Sequence, residues 1–356
     1  MGARMRLWPN ELCSCRPPYH DRMSVAEFVS QASDLHECRA GTELFARPEI
    51  QEFFQRVTGP DAAIAELAAP VESGDVFRAG MAAFLCGAMV ERGGSAAGAA
   101  EVVLPVMKSE LLRARELMAE TAAEDEVFER APDLVRAHHT LPFVLLAAMT
   151  TLSRDEQARK RVRADSEVVE LVAELEGRYE TLYYVREVLS LLDGREILLA
   201  DPRNRRAFLL GLTGVRNVMY HFFALAQDAL LQHAGPGYLA AEPTDPAAVR
   251  YATNDGLTEE ERQAARNLID HQRFGFHYPG VKDGAPAPAL FFPGSAAFSE
   301  VPVIGGVPTL FLDERSVNAQ WSPTNMYPVL HEALKAQVTL RELSPSEVEA
   351  RFAALG

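Results

Sequence analysis

The chain has 356 residues, 48% hydrophobic and 24% charged, with a formal net charge of -15. That balance excludes wholesale disorder, and the length exceeds a single ordinary core, so two structural units are expected. The excess of acid, with a pI near 5.1, would repel phosphate backbones and anionic leaflets. The expected partners are therefore a protein or a small molecule, with no nucleic acid and no membrane. The longest apolar runs, Ala79 to Val90 and Leu141 to Leu152, fall well short of the ~20 residues needed to cross a bilayer and read as core helices. Four cysteines are too few for a disulfide scaffold, which suggests a reducing, cytoplasmic setting. Cys86, inside the first apolar run, is expected to be buried and unreactive.

Residues 1–22 carry Pro9, Pro17, Pro18, Trp8 and a Cys-Ser-Cys tripeptide without periodicity, and read as an extension. Met23 stands just before Ser24 and Glu27, a capping box in which the Ser hydroxyl and the Glu carboxylate satisfy free backbone N–H groups, so Met23 is a candidate native start. Residues 23–193 form the expected helical domain, an irregular, solenoid-like helical layer. Helix starts fall at Pro48, Asp61, Asp75, Ser153 and Asp165, and stops at Gly59, Gly93-Gly94 and Gly177. Pro105 is expected to break or kink its helix. His138-His139, just before Pro142, reads as a helix end at which an imidazolium would complement the dipole.

Residues 194–356 form the expected smaller α+β domain with short antiparallel strands. Glu196 to Ala200 and Ala207 to Leu212 flank Asp201-Pro202-Arg203-Asn204 as a hairpin, because Asp and Pro open a type I turn. Residues 216–233 return to helix, and 235–255 read as a long loop. Thr258 and Glu261 form a capping box whose helix should run to about Gln272 and stop at Gly275. Residues 276–325 read as irregular apart from a short hairpin, Val301 to Ile304 and Thr309 to Leu312 about Gly305-Gly306. Gln337 to Leu340 adds a strand, and Ser344-Pro345-Ser346-Glu347 caps a terminal helix.

Several residue sets could carry chemistry. Cys13, Cys15 and His20 with His36 and Cys38 have zinc-ligand character, but C-x-C is tighter than zinc loops use and His36 and Cys38 diverge on a helix, so no metal site is assigned. His221 and Asp228 share a helix face, yet Tyr220, Phe222 and Phe223 beside them mark a core histidine. Asp270, His271, Arg273, His277 and Tyr278 cluster around a glycine-containing segment, where an acid, a base and aromatic groups are what a ligand site draws on, although such residues also cap helix ends. A second loop brings Arg315, Trp321 and Tyr327, the residue types that dominate interface hot spots. The candidate ligand- or partner-binding residues are thus His271, Arg273, His277, Arg315 and Trp321. There is no G-x-S-x-G, Walker A or G-x-G-x-x-G pattern, and His331-Glu332 lacks the second His of H-E-x-x-H, since Lys335 stands there. A protein-binding or scaffolding role is therefore the leading expectation. The alternatives are an enzyme on a non-motif site of His271, His277, His221 and a carboxylate, with or without a metal, and a small-ligand sensor; no cofactor is indicated.

Overall fold

A computed structural model describes residues 33–354. The expected extension over 1–22, the capping box at Ser24 and the cysteines and histidine at 13, 15 and 20 lie outside them. The chain divides into two compact units between Leu189 and Ser190.

Among the described residues the first unit is all helix: α1 (Leu35–Arg39), α2 (Pro48–Arg56), α3 (Pro60–Ser73), α4 (Val76–Glu91), α5 (Ala96–Met118), α6 (Glu124–Arg130), α7 (Pro132–Arg154), α8 (Glu156–Ala164), α9 (Ser166–Leu175) and α10 (Thr181–Leu189). Asp75 caps α4 by accepting from the Arg78 N–H at 2.8 Å, and Asp165 caps α9 through Val168. Helix α4 is buried on nearly every side, packed between α5 and α7. Its Cys86 is fully buried, and desolvation pushes the thiol pKa up to about 12. Native protein should accordingly leave Cys86 unlabelled by a thiol reagent over the time that unfolded protein reacts to completion; rapid native labelling would overturn that placement of α4.

Three expectations fail here for definable reasons. Pro105 does not break α5, and Pro142 does not end the helix after His138-His139; α5 and α7 run through both. Each proline lies on an exposed face, where water can serve the carbonyl deprived of its N–H partner. The start expected at Ser153 falls inside α7, and the cap is instead Asp155, which accepts from the Gln157 and Ala158 N–H groups.

The second unit is built on a mixed seven-stranded sheet. Its strands are β1 (Arg195–Asp201), β2 (Arg206–Thr213), β4 (Phe274–Lys282), β5 (Ala285–Phe291), β6 (Val303–Ile304), β7 (Val307–Glu314) and β9 (Gln337–Glu342), in the order β5-β4-β7-β1-β2-β9 with β6 beside β7. The hairpins about 201–204 and Gly305-Gly306 are present. The strands are not all antiparallel: β1 and β7 pair in parallel, Leu199 opposite Leu310. Helix α11 (Met219–Ala234) lies against one face, with Phe222 and Phe223 meeting Phe274, Phe276 and Phe292 in the core. The other face carries Leu198, Ala200 and Phe311 under the C-terminal helix α15 (Pro345–Ala353), capped at Ser344 as expected.

The segment read as a loop, 235–255, contains α12 (Pro246–Thr253), capped by Asp245. The helix after Thr258 has the expected capping box but is only α13 (Glu259–Ala264). It stops short of Gln272 because β3 (Asp270–His271) pairs with β8 (Gln320–Trp321), and the strand bonds replace helical ones. Gly275 lies inside β4, where a Cβ would come within 2.7 Å of His277 Nε2 and 2.9 Å of the Glu314 carbonyl. Residues 276–325, read as largely irregular, hold the β4–β5 hairpin, closed by the two-residue Asp283-Gly284 turn with both residues at positive φ. In such a hairpin the pairs alternate, so Pro286 and Pro288 occupy positions whose N–H would face away from β4. The prolines thereby blunt this outer strand against further pairing.

Candidate functional site

The β3–β8 ribbon brings four of the five candidate residues into one neighbourhood. Asp270 stands opposite Trp321 and His271 opposite Gln320, the Gln272 N–H donates to the Ala319 carbonyl at 2.9 Å, and Arg315 reaches the Gln272 carbonyl at 3.3 Å. A short α14 (Pro323–Met326) follows β8 and delivers Tyr327 beneath the ribbon.

Below the surface the ribbon is fastened by a buried ion pair. Arg273 Nη1 donates to Asp270 Oδ1 at 2.7 Å, with both side chains 2% exposed. The same guanidinium donates to the Pro243 and His271 carbonyls at 2.9 and 2.8 Å. Gln227 of α11, itself buried, accepts the Arg273 N–H at 2.6 Å. Arg273, expected to contact a ligand, therefore serves as an internal clamp: three acceptors compensate a charge that would be costly to bury alone. Trp321 is also interior, stacked on Tyr220 of α11 at 4.6 Å.

Two buried polar groups here, the Trp321 indole N–H and the Tyr327 hydroxyl, have no hydrogen-bond partner beyond a long contact with each other. Burial first, and then the Asp270 charge, hold the Tyr327 phenol protonated well above its ordinary range. On the outward side, His271 Nε2 lies 3.4 Å from Glu242, Arg315 is exposed, and Ile269 and Val317 are 57% and 41% exposed.

His277 is not part of this group. It alternates with Phe276, which faces α11, and pairs across with Phe311 on the opposite face of the sheet. Its two ring nitrogens are buried without partners, and burial lowers its pKa against the opposing pull of Asp313. The three histidines of the enzyme alternative thus do not converge. His221 is occupied by the fold: the Arg216 N–H donates to its Nδ1 at 3.0 Å, so the proton resides on Nε2, which donates to the Ala252 carbonyl at 2.8 Å. Desolvation brings its pKa down to about 4. It is a neutral core histidine with no free nitrogen for proton transfer.

Beside His221, a narrow cleft of about 20 Å³ lies among Arg216, Asn254, Tyr327 and His331, room for about one water. Asn254, at φ 54°, closes its rim by donating to the Leu334 carbonyl at 2.6 Å and accepting from Arg262 at 3.0 Å. Sequence reasoning passed over Asn254 and Gln227 because nothing local marks a polar side chain that will be claimed by backbone about eighty and forty-five residues away. No group of three or more His, Cys, Asp or Glu side chains is arranged to hold a metal ion among the described residues. Nor is any helix of the described residues long and apolar enough to cross a membrane. No family profile, curated protein or solved structure matches the chain.

Proposed function

We propose that this is a protein-binding protein whose second unit presents the outer side of the β3–β8 ribbon to a partner. The observation that supports the reading is the combination of a rigid underside, the buried Asp270–Arg273 pair, with outward apolar and polar groups at Ile269, His271, Arg315 and Val317. A surface held in one conformation loses little entropy on binding, and apolar side chains there supply area to cover. The first unit, with its packed helices, is read as the scaffold, a solenoid-like helical layer. The net charge of -15 favours a protein over a nucleic acid as partner, and buried free thiols at Cys38 and Cys86 favour a cytoplasmic setting.

A photo-crosslinking side chain at position 269 should give a discrete protein adduct in cells, and Ile269→Glu should reduce capture of that partner at least tenfold with an unchanged melting temperature. The magnitude follows from burying one Ile, worth about 1.5–3 kcal/mol. Equal capture by a stable Ile269→Glu variant would place the contact elsewhere. A second reading, a small-ligand sensor, is favoured by the Trp321 N–H and Tyr327 hydroxyl, buried with no partner beyond a long contact with each other. In that case no protein adduct forms, and a ligand raises the melting temperature of wild type but not of Tyr327→Phe.

A further inference from the structure

Glu110 lies at the middle of α5, where α4 and α7 cross it, and is 1% exposed. Room for its carboxyl exists because α4 carries Gly80 there: a Cβ on that residue would collide with Glu110 Oε1 and come within 2.7 Å of the Thr140 Cβ. Thr140 of α7 is the hydrogen-bond partner, its Oγ1 2.8 Å from Glu110 Oε1 and 3.0 Å from the Arg136 carbonyl. Glu110 Oε2 is buried with no partner at all.

Count the protons available to this chain of oxygens. The Thr140 hydroxyl has one, and three acceptors lie within its reach: Glu110 Oε1, the Arg136 carbonyl and, at 3.5 Å, the Ala137 carbonyl. With an ionised Glu110, only one contact can be a hydrogen bond, and a buried carboxylate keeps at most a single donor. With a protonated Glu110, both bonds form: the carboxyl O–H donates to Thr140 Oγ1, and the Thr140 O–H donates to the Arg136 carbonyl. The neutral acid therefore makes one hydrogen bond more at the crossing than the carboxylate can, and leaves no buried charge.

The neighbours supply little to offset a charge. On α5 itself, Arg113 is the cation that acts on Glu110, and its guanidinium is turned to Ser109. From α4, the cation near the crossing is Arg78, which is paired with Glu37. On α7, Arg136 binds Asp133 and the Ser33 carbonyl, while His138 is hydrogen-bonded to the Tyr179 hydroxyl at 2.7 Å, and His139 lies 3.2 Å from Glu124. Tyr179 leads into α10, and the Glu110 charge would disfavour its ionisation. Burial, against the weaker pull of Thr140 and Arg113, holds the Glu110 carboxyl well above the ordinary carboxylate range.

We propose that Glu110 is a proton-operated latch on the α4–α5–α7 crossing: the neutral acid locks the three helices together, and loss of its proton loosens them. The sign follows from linkage. A carboxyl whose folded pKa is raised leaves stability intact below its unfolded pKa, about 4.3, and erodes it as pH rises toward the folded value, up to tenfold in the opening equilibrium per pH unit.

Cys86 lies on α4 six residues beyond Gly80, so its labelling reports opening. In the full chain, the labelling rate of Cys86, resolved by peptide mass spectrometry, should be measured from pH 6 to pH 8.5 in wild type and Glu110→Gln. The amide of Gln keeps a donor for Thr140 but cannot ionise, and the ratio of the two rates cancels the pH dependence of the thiol itself. The expected result is a wild-type to variant ratio that rises with pH, by severalfold or more across the range. A constant ratio would overturn the latch. Should Glu110→Gln fail to fold, side-chain carboxyl ¹³C resonances of wild type decide: one glutamate retaining its protonated shift at pH 7 supports the proposal, and all glutamates ionised by pH 6 overturns it.

Discussion

Asp270→Ala is expected to destabilise the second unit by about 3–5 kcal/mol, because it leaves the Arg273 guanidinium buried without its counter-charge. Both partners are 2% exposed and 2.7 Å apart, so salt should change the effect little, in contrast to the exposed pair of Lys335 and Asp255. For a unit of this size the loss is a fall in melting temperature on the order of 10 °C. The readout is urea unfolding followed by the fluorescence of Trp321, whose stacking on Tyr220 is lost with the ribbon. The paired replacement Asp270→Leu with Arg273→Met should recover most of the stability, since neither charge then remains to be desolvated. A loss below about 1 kcal/mol for Asp270→Ala would mean that water reaches Arg273 and that the ribbon is not rigidly held. The supporting observation for a partner surface would then be gone.

The second large effect is at Phe223. Its ring stacks on Phe276 at 4.1 Å with an interplanar angle of 7°, and it meets Tyr220 and Phe292 edge-on. All contacts lie in the core between α11 and the sheet, where Phe223 is fully buried. Phe223→Ala should cost about 3–5 kcal/mol, the transfer of the ring plus the cavity it leaves. Phe223→Leu should cost clearly less, because it refills much of that volume. A double-mutant cycle with Phe276→Ala isolates the ring pair itself, expected at about 0.5–1.5 kcal/mol of coupling. Additive losses at the two positions would show that the stacking contributes nothing beyond burial.

The candidate site was only partly legible before folding. The ribbon residues were chosen for their chemistry, and four of them do meet, yet Arg273 and Trp321 turn inward and His277 faces the other side of the sheet. Side-chain type marks a capacity for ligand contact; whether that capacity is free depends on which distant backbone carbonyls and carboxylates claim it, and Arg273 is claimed by Pro243, His271 and Asp270. One local signal was present and missed. Asp283-Gly284 between apolar runs is the chemistry of a two-residue hairpin turn, and reading it would have replaced the irregular segment with β4 and β5.

What the amino-acid sequence determined by itself were the features decided within a turn of helix or a hairpin. The caps at Asp75, Asp165, Thr258 and Ser344, the hairpin about Asp201 and the burial of the Cys86 helix all appear in the structure, because each rests on groups a few residues apart. The tertiary structure alone decided the parallel pairing of β1 with β7, the early stop of α13 at the ribbon and the passage of α5 and α7 through their prolines. Each of these turns on a partner far along the chain or on which face of a helix meets water, and local propensity of a few tenths of a kcal/mol per residue yields to packing and pairing that are worth more.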